Sequence, residues 1–389
     1  MQTRNDQEAR VTAWLAEHEA QMLALLEELV NTDSGSYNKQ GVDAAGAVLR
    51  TFLEDRGIPC ETIPIETHGD AVRATVSGAD GNQPILIMGH RDTVFPEGEP
   101  TRRPFRMENG RAYGPGVADM KAGLTMGAFL LAAFHELGGA PAPLVALFTG
   151  DEEIASPTSR PIIEAEARKA RVVFNCEPGR PSGNIVTGRK GGVFFRCEVF
   201  GKAAHSGGNF KEGISAIEEL ARKIQAWHLL TDHETGSTLN VGLIEGGQSV
   251  NTVAPHAACA IDTRFVTTED RDRMVEAVTK IATECSVPGT TAEIAITGEF
   301  APLQPAPDSG ALFDHYVAAA ADAGLAVEGE FSGGCADSGF AAQVGAPTLC
   351  AVGPVGGKGH SPEEYLEVGS LIPRAQALAL AILRLDQMS

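Results

Sequence analysis

The chain has 389 residues, a formal net charge of −20 at neutral pH and 43% hydrophobic residues. A single hydrophobic core stops growing at roughly 250–300 residues, so this length predicts two domains. A surface this acidic repels nucleic acids and anionic membranes, which excludes both as expected partners.

The first eight residues contain no apolar segment of the kind that a secretory signal requires. No run of about 18 consecutive apolar residues occurs, which is the length that a membrane span needs. We therefore expect a cytoplasmic protein. The seven cysteines are widely spaced and form no Cys-x-x-Cys pair. This spacing predicts neither a disulfide framework nor a thiolate zinc site.

The first part of the chain has the apolar spacing of a helix. Apolar residues recur at helical spacing from Val11 to Leu29, and a second helix is predicted at Val42–Asp55, where Gly57 can end it. Strands and helices then alternate, with a helix at Met120–Leu137. The strand candidates are Val72–Val76, Ile85–Met88, Leu144–Thr149 and Val172–Cys176. This alternation predicts an α/β domain with a mostly parallel sheet covered by helices.

The pattern changes after Gly188, where a β-α-β-β-α-β order begins that is typical of a compact α+β unit. Its predicted strands are Gly192–Phe200, Thr238–Leu243, Ala257–Phe265 and Thr291–Thr297, and its helices are Gly213–Trp227 and Thr268–Cys285. Alternation resumes with the segments Ala311–Ala323, Pro347–Val352 and Ser370–Leu385. We predict a larger domain of residues 1–188 and 300–389, into which a small domain of residues 189–299 is inserted.

Residues with metal-binding side chains lie where apolar runs end or a helix begins: His90, Asp119, Glu153, Glu177 and His360. Strand ends in an open α/β sheet face one crevice, so side chains distant in sequence can converge there. Three carboxylates and two imidazoles suit a pair of divalent ions with one carboxylate as a bridge. A lone His or Glu at a strand end is a ligand in roughly one case in ten, so the prediction rests on the complete set. The pattern indicates a two-metal hydrolase.

Motifs along almost the whole chain resemble one known family. They are Gly89–Val94, Gly114–Gly123, Asp151–Glu153, Cys176–Pro178, Gly201–Ser206 and Gly359–Tyr365. Together they are similar to the dinuclear zinc metallopeptidase family of glutamate carboxypeptidase, aminoacylase and succinyl-diaminopimelate desuccinylase. Within that family, the bacterial glutamate carboxypeptidases look most similar.

The resemblance implies two zinc ions, with cobalt or manganese as alternatives. One ion would be held by His90, Asp119 and Glu177. The other would be held by Asp119, Glu153 and His360. Asp119 and a water or hydroxide would bridge the two ions. The resemblance also implies a cis peptide bond after Asp119.

Two further carboxylates have implied roles beside the ligands. Asp92 would accept the second imidazole N–H of His90 and so orient that ring. Glu152 would act as the general base that takes the proton of the attacking water and passes it to the leaving nitrogen. Its alternative interpretation is one more surface charge in an acidic turn.

The inserted domain supplies the remaining implied roles. His205 would stabilise the oxyanion, often from the partner subunit, although an exposed loop histidine is the alternative interpretation. Asn251 and Arg264 match positions that bind the terminal carboxylate of the substrate. Arg189 and Lys190 are candidate anion contacts or, equally, solvated charges. The resemblance further implies a homodimer that pairs through this domain, which would also act as a lid.

The third ligand carries information about the substrate. In the family, Glu at the position of Glu177 is typical of carboxypeptidases, deacylases and desuccinylases, which favours release of a C-terminal amino acid from a small peptide or N-acyl amino acid. Glu299 weakens the assignment to glutamate, because glutamate carboxypeptidases carry a substrate-binding arginine in the corresponding segment. The alternatives are an N-acyl-amino-acid deacylase, a hydrolase or deaminase of a non-peptide amide or amine, and a metal-binding protein without catalysis. Glu152 and His205 argue against the last of these.

Overall fold

The computed structural model describes residues 4–79 and 81–388. The chain divides into two compact units. The large unit contains the residues up to Gly188, Pro305–Ser332 and the residues from Ala336 onward. The small unit contains Arg189–Gln304 and Gly333–Cys335, and the insertion expected at residues 189–299 lies within it.

The large unit is built on an eight-stranded sheet with the order β1-β2-β6-β3-β7-β14-β8-β13. The strands are β1 (Cys60–Ile63), β2 (Ala71–Val76), β3 (Ile85–His90), β6 (Leu144–Thr149), β7 (Val172–Asn175), β8 (Ile185–Arg189), β13 (Gly329–Ser332) and β14 (Thr348–Cys350). A second sheet of this unit contains β4 (Arg106–Glu108), β5 (Arg111–Tyr113), β15 (Gly356–Gly357) and β16 (Tyr365–Glu367).

The four central strands β6, β3, β7 and β14 pair in parallel, whereas β1, β2 and β8 pair antiparallel. Each central strand is buried along its whole length. Apolar residues on both faces of a parallel strand require helices on both faces of the sheet. The predicted α/β class with a helix-covered sheet is confirmed.

The helices of the large unit are α1 (Arg4–Glu17), α2 (Glu19–Asn31), α3 (Lys39–Glu54), α4 (Glu99–Arg102), α5 (Ala122–Glu136), α6 (Arg160–Ala167), α9 (Ser309–Asp322), α10 (Ser338–Gln343) and α11 (Leu371–Leu383). With the turn before it, α5 is long and apolar enough to cross a membrane, yet 94% of this apolar segment is buried inside the fold. It is the central core helix of the unit. The cytoplasmic location of the protein stays a prediction.

The expectation of one helix from Val11 to Leu29 is wrong, because the chain breaks between α1 and α2 at His18. The His18 ring stacks on the Trp14 ring at 3.7 Å between centroids, and its Nδ1 lies 2.7 Å from the Trp14 carbonyl oxygen. The apolar spacing continues across the break, so periodicity alone did not reveal it.

The small unit has a four-stranded antiparallel sheet with the order β10-β11-β9-β12. Its elements in chain order are β9 (Gly191–Phe200), α7 (Ala216–His228), β10 (Thr238–Gly246), β11 (His256–Phe265), α8 (Thr268–Thr283) and β12 (Thr291–Phe300), which confirms the β-α-β-β-α-β order. Burial alternates along β9 and β11, as expected for a sheet with one covered face. Helix α7 begins after Ser215 and α8 after Thr267, and both caps accept a backbone N–H.

Candidate active site

The proposed metal ligands follow the carboxyl ends of the parallel strands. His90 is the last residue of β3, Glu153 comes shortly after β6, and Glu177 follows β7. Since β3 lies between β6 and β7, these three side chains are brought to one edge of the sheet. The segment between β15 and β16 carries His360 to the same cluster.

The side chains form two overlapping groups that share Asp119. In the first group, His90 Nε2 lies 3.2 Å from Asp119 Oδ1 and 3.5 Å from Glu177 Oε1. In the second, His360 Nε2 lies 3.4 Å from Asp119 Oδ2 and 3.1 Å from Glu153 Oε2. The two oxygens of Asp119 therefore point to different groups, which is the geometry of a bridging carboxylate.

Asp119 lies in an irregular turn, Val117–Lys121, just before α5. Gly116 precedes the turn with a φ of 72°, a conformation that favours glycine. The expected cis peptide bond between Asp119 and Met120 is present. The turn presents the Asp119 carboxylate at the start of the helix rather than on its side.

The buried side chain of Glu364 holds this turn. Its Oε1 accepts the backbone N–H of Ala118 and of Asp119, both at 2.9 Å, and its Oε2 accepts the N–H of Gly116 at 3.0 Å. Burial raises the pKa of Glu364 to about 7, although these three N–H bonds favour the charged carboxylate. Sequence reasoning gave Glu364 no role, and its position four residues after His360 was the available signal.

Asp92 connects the two loops that carry ligands. The ring nitrogen Nδ1 of His90 lies 3.0 Å from the backbone oxygen of Asp92 and 3.4 Å from its carboxylate Oδ1. That carboxylate also accepts the backbone N–H of Glu152 and of Glu153, each at 3.1 Å, and the hydroxyl of Ser36 at 2.7 Å. Asp92 thus positions the turn after β6 as well as the His90 ring.

The carboxylate of Glu152 is buried in the same cluster, and its Oε2 lies 3.8 Å from His90 Nε2. Burial raises its pKa well above the ordinary value, and the nearby charge of Glu177 acts in the same direction. A carboxyl group held this close to the proposed ligands is positioned to exchange a proton with a molecule bound there. The surface-charge alternative for Glu152 does not fit this burial.

The electrostatics of the cluster fit bound cations. Burial opposes a charge on His90, yet the carboxylates of Glu152 and Asp119 outweigh burial and raise the pKa of His90 well above its ordinary value. Hydrogen bonds to Asp119 and Glu153 raise the pKa of His360 to about 10. Burial raises the pKa of Glu153 to about 7. Carboxylates packed this closely need positive charge, and carboxylate oxygens with imidazole nitrogens are a suitable donor set for divalent ions such as zinc.

A second buried carboxyl group supports the turn that carries Glu152. Asp337 accepts the hydroxyl of Ser156, which has a positive φ of 48° in that turn. Burial is the largest influence on Asp337 and raises its pKa to about 8. Sequence reasoning gave Asp337 no role.

In the small unit, His205 and Asn251 lie together. The backbone of His205 forms an antiparallel bridge with Thr252, and the backbone N–H of Ser206 donates to the backbone carbonyl oxygen of Asn251 at 2.9 Å. The exposed His205 ring accepts two backbone N–H bonds at Nδ1, from Gly207 at 3.1 Å and Gly208 at 3.0 Å. A neutral ring with this bonding carries its proton on Nε2, which makes that nitrogen a donor.

Arg264 lies at the other end of the small sheet. It pairs with Gly192 near the end of β11, whereas His256 at the start of β11 pairs with Phe200 and adjoins the His205 loop. At about 3.3 Å of rise per residue, Arg264 is on the order of 25 Å from the His205 end of the strand. Its guanidinium bonds both oxygens of Asp262 at 2.7 Å.

The other basic candidates bind carbonyl oxygens in the small unit. Buried Arg189 donates to the carbonyls of Gly334 and Cys335, each at 3.2 Å. Lys190 donates to the carbonyl of Gly236. These bonds are structural, and a contact of Arg189 or Lys190 with a substrate anion stays a prediction.

The charge of Glu299 has a partner that sequence reasoning missed. Arg271 on α8 donates to both of its oxygens, at 3.0 and 2.8 Å. The pair explains how an acid is tolerated at this position, because its charge is compensated within the small unit.

A parallel sheet with overlapping acid and histidine ligand groups at its carboxyl edge defines the class of metal-dependent hydrolases. The sequence matches "Peptidase family M20/M25/M40" over residues 86–384, and the chain belongs to this family of metal-dependent peptidases and amidohydrolases. The family recognised from the motifs is confirmed.

Relatives extend over nearly the whole chain. Carboxypeptidase G2 of Pseudomonas sp. (strain RS-16) is 29% identical over 369 residues, which cover 93% of this chain and 88% of that protein. An acetylornithine deacetylase of Vibrio campbellii is 28% identical over 388 residues, which cover 93% of this chain and 98% of that protein. The solved structure of the M20 family metallo-carboxypeptidase Sso-CP2 from Sulfolobus solfataricus has a TM-score of 0.78 at 20% identity and covers 94% of this chain and 99% of that chain. This last likeness shows a shared fold.

Proposed function

We propose that this protein is a two-metal amide hydrolase that releases an amino acid from a small peptide or an N-acyl amino acid. The observation that carries the proposal is the shared position of Asp119 between two ligand groups, with buried Glu152 beside them. Zinc is the proposed metal, because carboxylate and imidazole ligands suit it, although cobalt and manganese accept the same donors.

His90, Asp119 and Glu177 would hold one ion, and Asp119, Glu153 and His360 the other. Divalent ions held there would supply Lewis acidity to an amide carbonyl and to the attacking water. Glu152 would take the proton of that water and deliver it to the leaving nitrogen. Its burial beside the ligand groups, with Oε2 3.8 Å from His90 Nε2, suits both transfers.

His205 is proposed to stabilise the developing oxyanion through the proton on Nε2. The distance between the His205 end and the Arg264 end of the small unit, on the order of 25 Å, exceeds the length of a dipeptide. One copy of this unit therefore cannot offer both groups to one small substrate. We propose a homodimer through the small unit, in which His205 and Asn251 act in the partner's site and Arg264 in its own.

Release of a C-terminal amino acid is favoured by Glu177 and by the likeness to carboxypeptidase G2. The N-acyl-amino-acid deacylase alternative is favoured by the acetylornithine deacetylases among the relatives. Arg264 is proposed to bind the free carboxylate of the substrate. To do so, its guanidinium must bind Asp262 and the substrate together or release Asp262.

Metal content and a substrate screen test this proposal together. The protein is stripped with a chelator, reloaded with zinc, and assayed on dipeptides, N-acyl amino acids and small aryl amides. We expect activity on the first two groups only, with full recovery at two zinc ions per chain. Activity that survives complete metal removal, or cleavage of aryl amides alone, would contradict the proposal.

A further inference from the structure

We propose that a cavity beside Glu153 is the subsite for the acyl group of the substrate, and that it selects a neutral apolar or aromatic acyl group. The cavity measures about 500 Å³ and lies within the large unit. Its lining consists of Gly35, Ser36, Tyr37, Asn38, Thr93, Val94, Phe95, Pro96, Glu97, Glu153 and Ile154. This inference rests on the proposed function, because it takes the cluster at Glu153 as the reaction centre.

The wall of the cavity is fixed to the candidate active site. Backbone bonds join Thr93 to Ser34 at 2.9 Å and Ser36 to Thr93 at 3.2 Å. The Ser36 hydroxyl bonds the Asp92 carboxylate, which also holds the backbone of Glu153. A subsite held this rigidly places a bound group at a defined distance from the ligands.

The position of Gly35 shows how closely the two segments of the wall approach. A Cβ atom at Gly35 would lie 2.5 Å from the carbonyl oxygen of Phe95. Only glycine allows this contact, which brings the Tyr37 loop against the segment that follows β3.

Two large apolar side chains of the lining are exposed. Tyr37 is 86% exposed and Val94 is 43% exposed. Small-molecule sites typically combine apolar walls with a few polar groups in a concave space of about 300–1,000 Å³. The size and walls of this cavity therefore suit an aromatic ring or a branched alkyl chain.

The charges of the lining identify which half of the substrate enters. Among the described residues that line the cavity, none is a lysine, an arginine or a histidine, and Glu97 is an acid that holds no metal in the proposed site. The carboxylate of a released amino acid would be repelled here, so this half must lie elsewhere. A succinyl or other anionic acyl group would be repelled for the same reason.

The reaction assigns the products accordingly. One water is consumed as the C–N bond breaks and a C–O bond forms at the acyl carbon. The acyl half leaves as a carboxylic acid from the cavity, and the nitrogen of the amino acid takes a proton. In this assignment Tyr37 and Val94 face the acyl half, so replacing them should affect acyl preference and leave the choice of amino acid unchanged.

The test compares the N-acetyl, N-benzoyl and N-succinyl derivatives of one amino acid, chosen as the best leaving group in the screen. For the wild-type protein we expect kcat/KM to fall in the order benzoyl, acetyl, succinyl. Tyr37→Ala and Val94→Ser should each lower the benzoyl to acetyl ratio by about tenfold, the scale on which apolar pockets discriminate. The matched control is Phe331→Ala, which removes a 56% exposed aromatic ring of the same unit that does not line the cavity.

A benzoyl to acetyl ratio that stays unchanged in both cavity variants, or falls equally in the control, overturns the subsite while the proposed function stands. A wild-type preference for succinyl overturns it as well. Failure of the zinc-loaded wild type to cleave any of the three derivatives overturns the proposed function, and the subsite falls with it. Because both cavity side chains are exposed, the variants should keep the wild-type circular dichroism spectrum.

Discussion

The carboxylate of Glu364 accepts the backbone N–H of Asp119 at 2.9 Å. Glu364 therefore joins the loop that carries His360 to the turn that carries the proposed bridging ligand. A carboxylate that positions a ligand through its backbone acts on the metal without contacting it.

Replacing Glu364 by alanine would leave three backbone N–H groups without their acceptor, two of them buried. We expect Glu364→Ala to weaken zinc binding by about 10–100-fold, the usual effect of losing such a supporting group. Competition with a chelating dye measures the affinity. The neighbouring exposed Glu363 provides the control, since Glu363→Ala should bind zinc as the wild type does. Equal affinities in a folded Glu364→Ala variant would show that the turn holds its shape without Glu364.

The bridging role of Asp119 predicts different metal losses in two variants. Asp119→Ala should lose both ions, because both ligand groups contain this carboxylate. His360→Ala should weaken mainly one ion, because His360 belongs to one group. Elemental analysis after dialysis measures the zinc content. Two tightly bound ions in Asp119→Ala would refute the bridge.

The sequence predicted which side chains meet at this edge of the sheet, because their positions follow from simple patterns. Apolar runs located β3, β6 and β7, and parallel strands must present their carboxyl ends at one edge. His90 and Glu153 could be assigned to that edge without knowing any distance. The resemblance then assigned these residues to two metal sites that share Asp119.

The supporting contacts could not be predicted for a physical reason. Glu364 and Asp92 act through backbone N–H groups, which every residue carries, so no side-chain pattern marks their partners. Arg271 and Glu299 lie on different elements, and only the packing of α8 against β12 brings them together. The distance between Arg264 and His205 could be judged only from the register of the strands. A bulge or a loop that differs by one residue can change that register, so the sequence alone did not show the distance.

The buried carboxyl group of Asp337 predicts a dependence of stability on pH. Burial raises its pKa to about 8, whereas an unfolded aspartate titrates near pH 4. Between these values only the folded state holds the proton, so the contribution of Asp337 is present below about pH 4 and is lost as the pH rises through about 8. Asp337→Asn cannot titrate, and the free energy of unfolding of this variant should fall less between pH 6 and 9.

Urea unfolding of the metal-free protein at both pH values measures this effect. Exposed Asp314 on α9 offers the control, because Asp314→Asn should keep the wild-type pH dependence. A wild-type slope in Asp337→Asn would show that other buried carboxyl groups account for the whole dependence.

The proposed exchange of His205 between subunits predicts complementation. His205→Ala and Glu152→Gln should each be nearly inactive, since losing one oxyanion donor typically costs about 10²–10³ in turnover. After subunit exchange, a mixed dimer contains one site with both groups intact and should regain activity. No recovery despite confirmed exchange would place His205 in its own subunit's site, and a monomer in solution would remove the dimer from the account.

The central claim is that Glu152 moves the proton in a reaction that bound metals make possible. The most direct measurement is the turnover number of zinc-loaded Glu152→Gln, with the metal content determined on the same sample. We predict two zinc ions per chain, an unchanged fold and a turnover number lower by at least about 100-fold, because the amide cannot accept the proton. Wild-type turnover in Glu152→Gln with both ions bound would contradict the account.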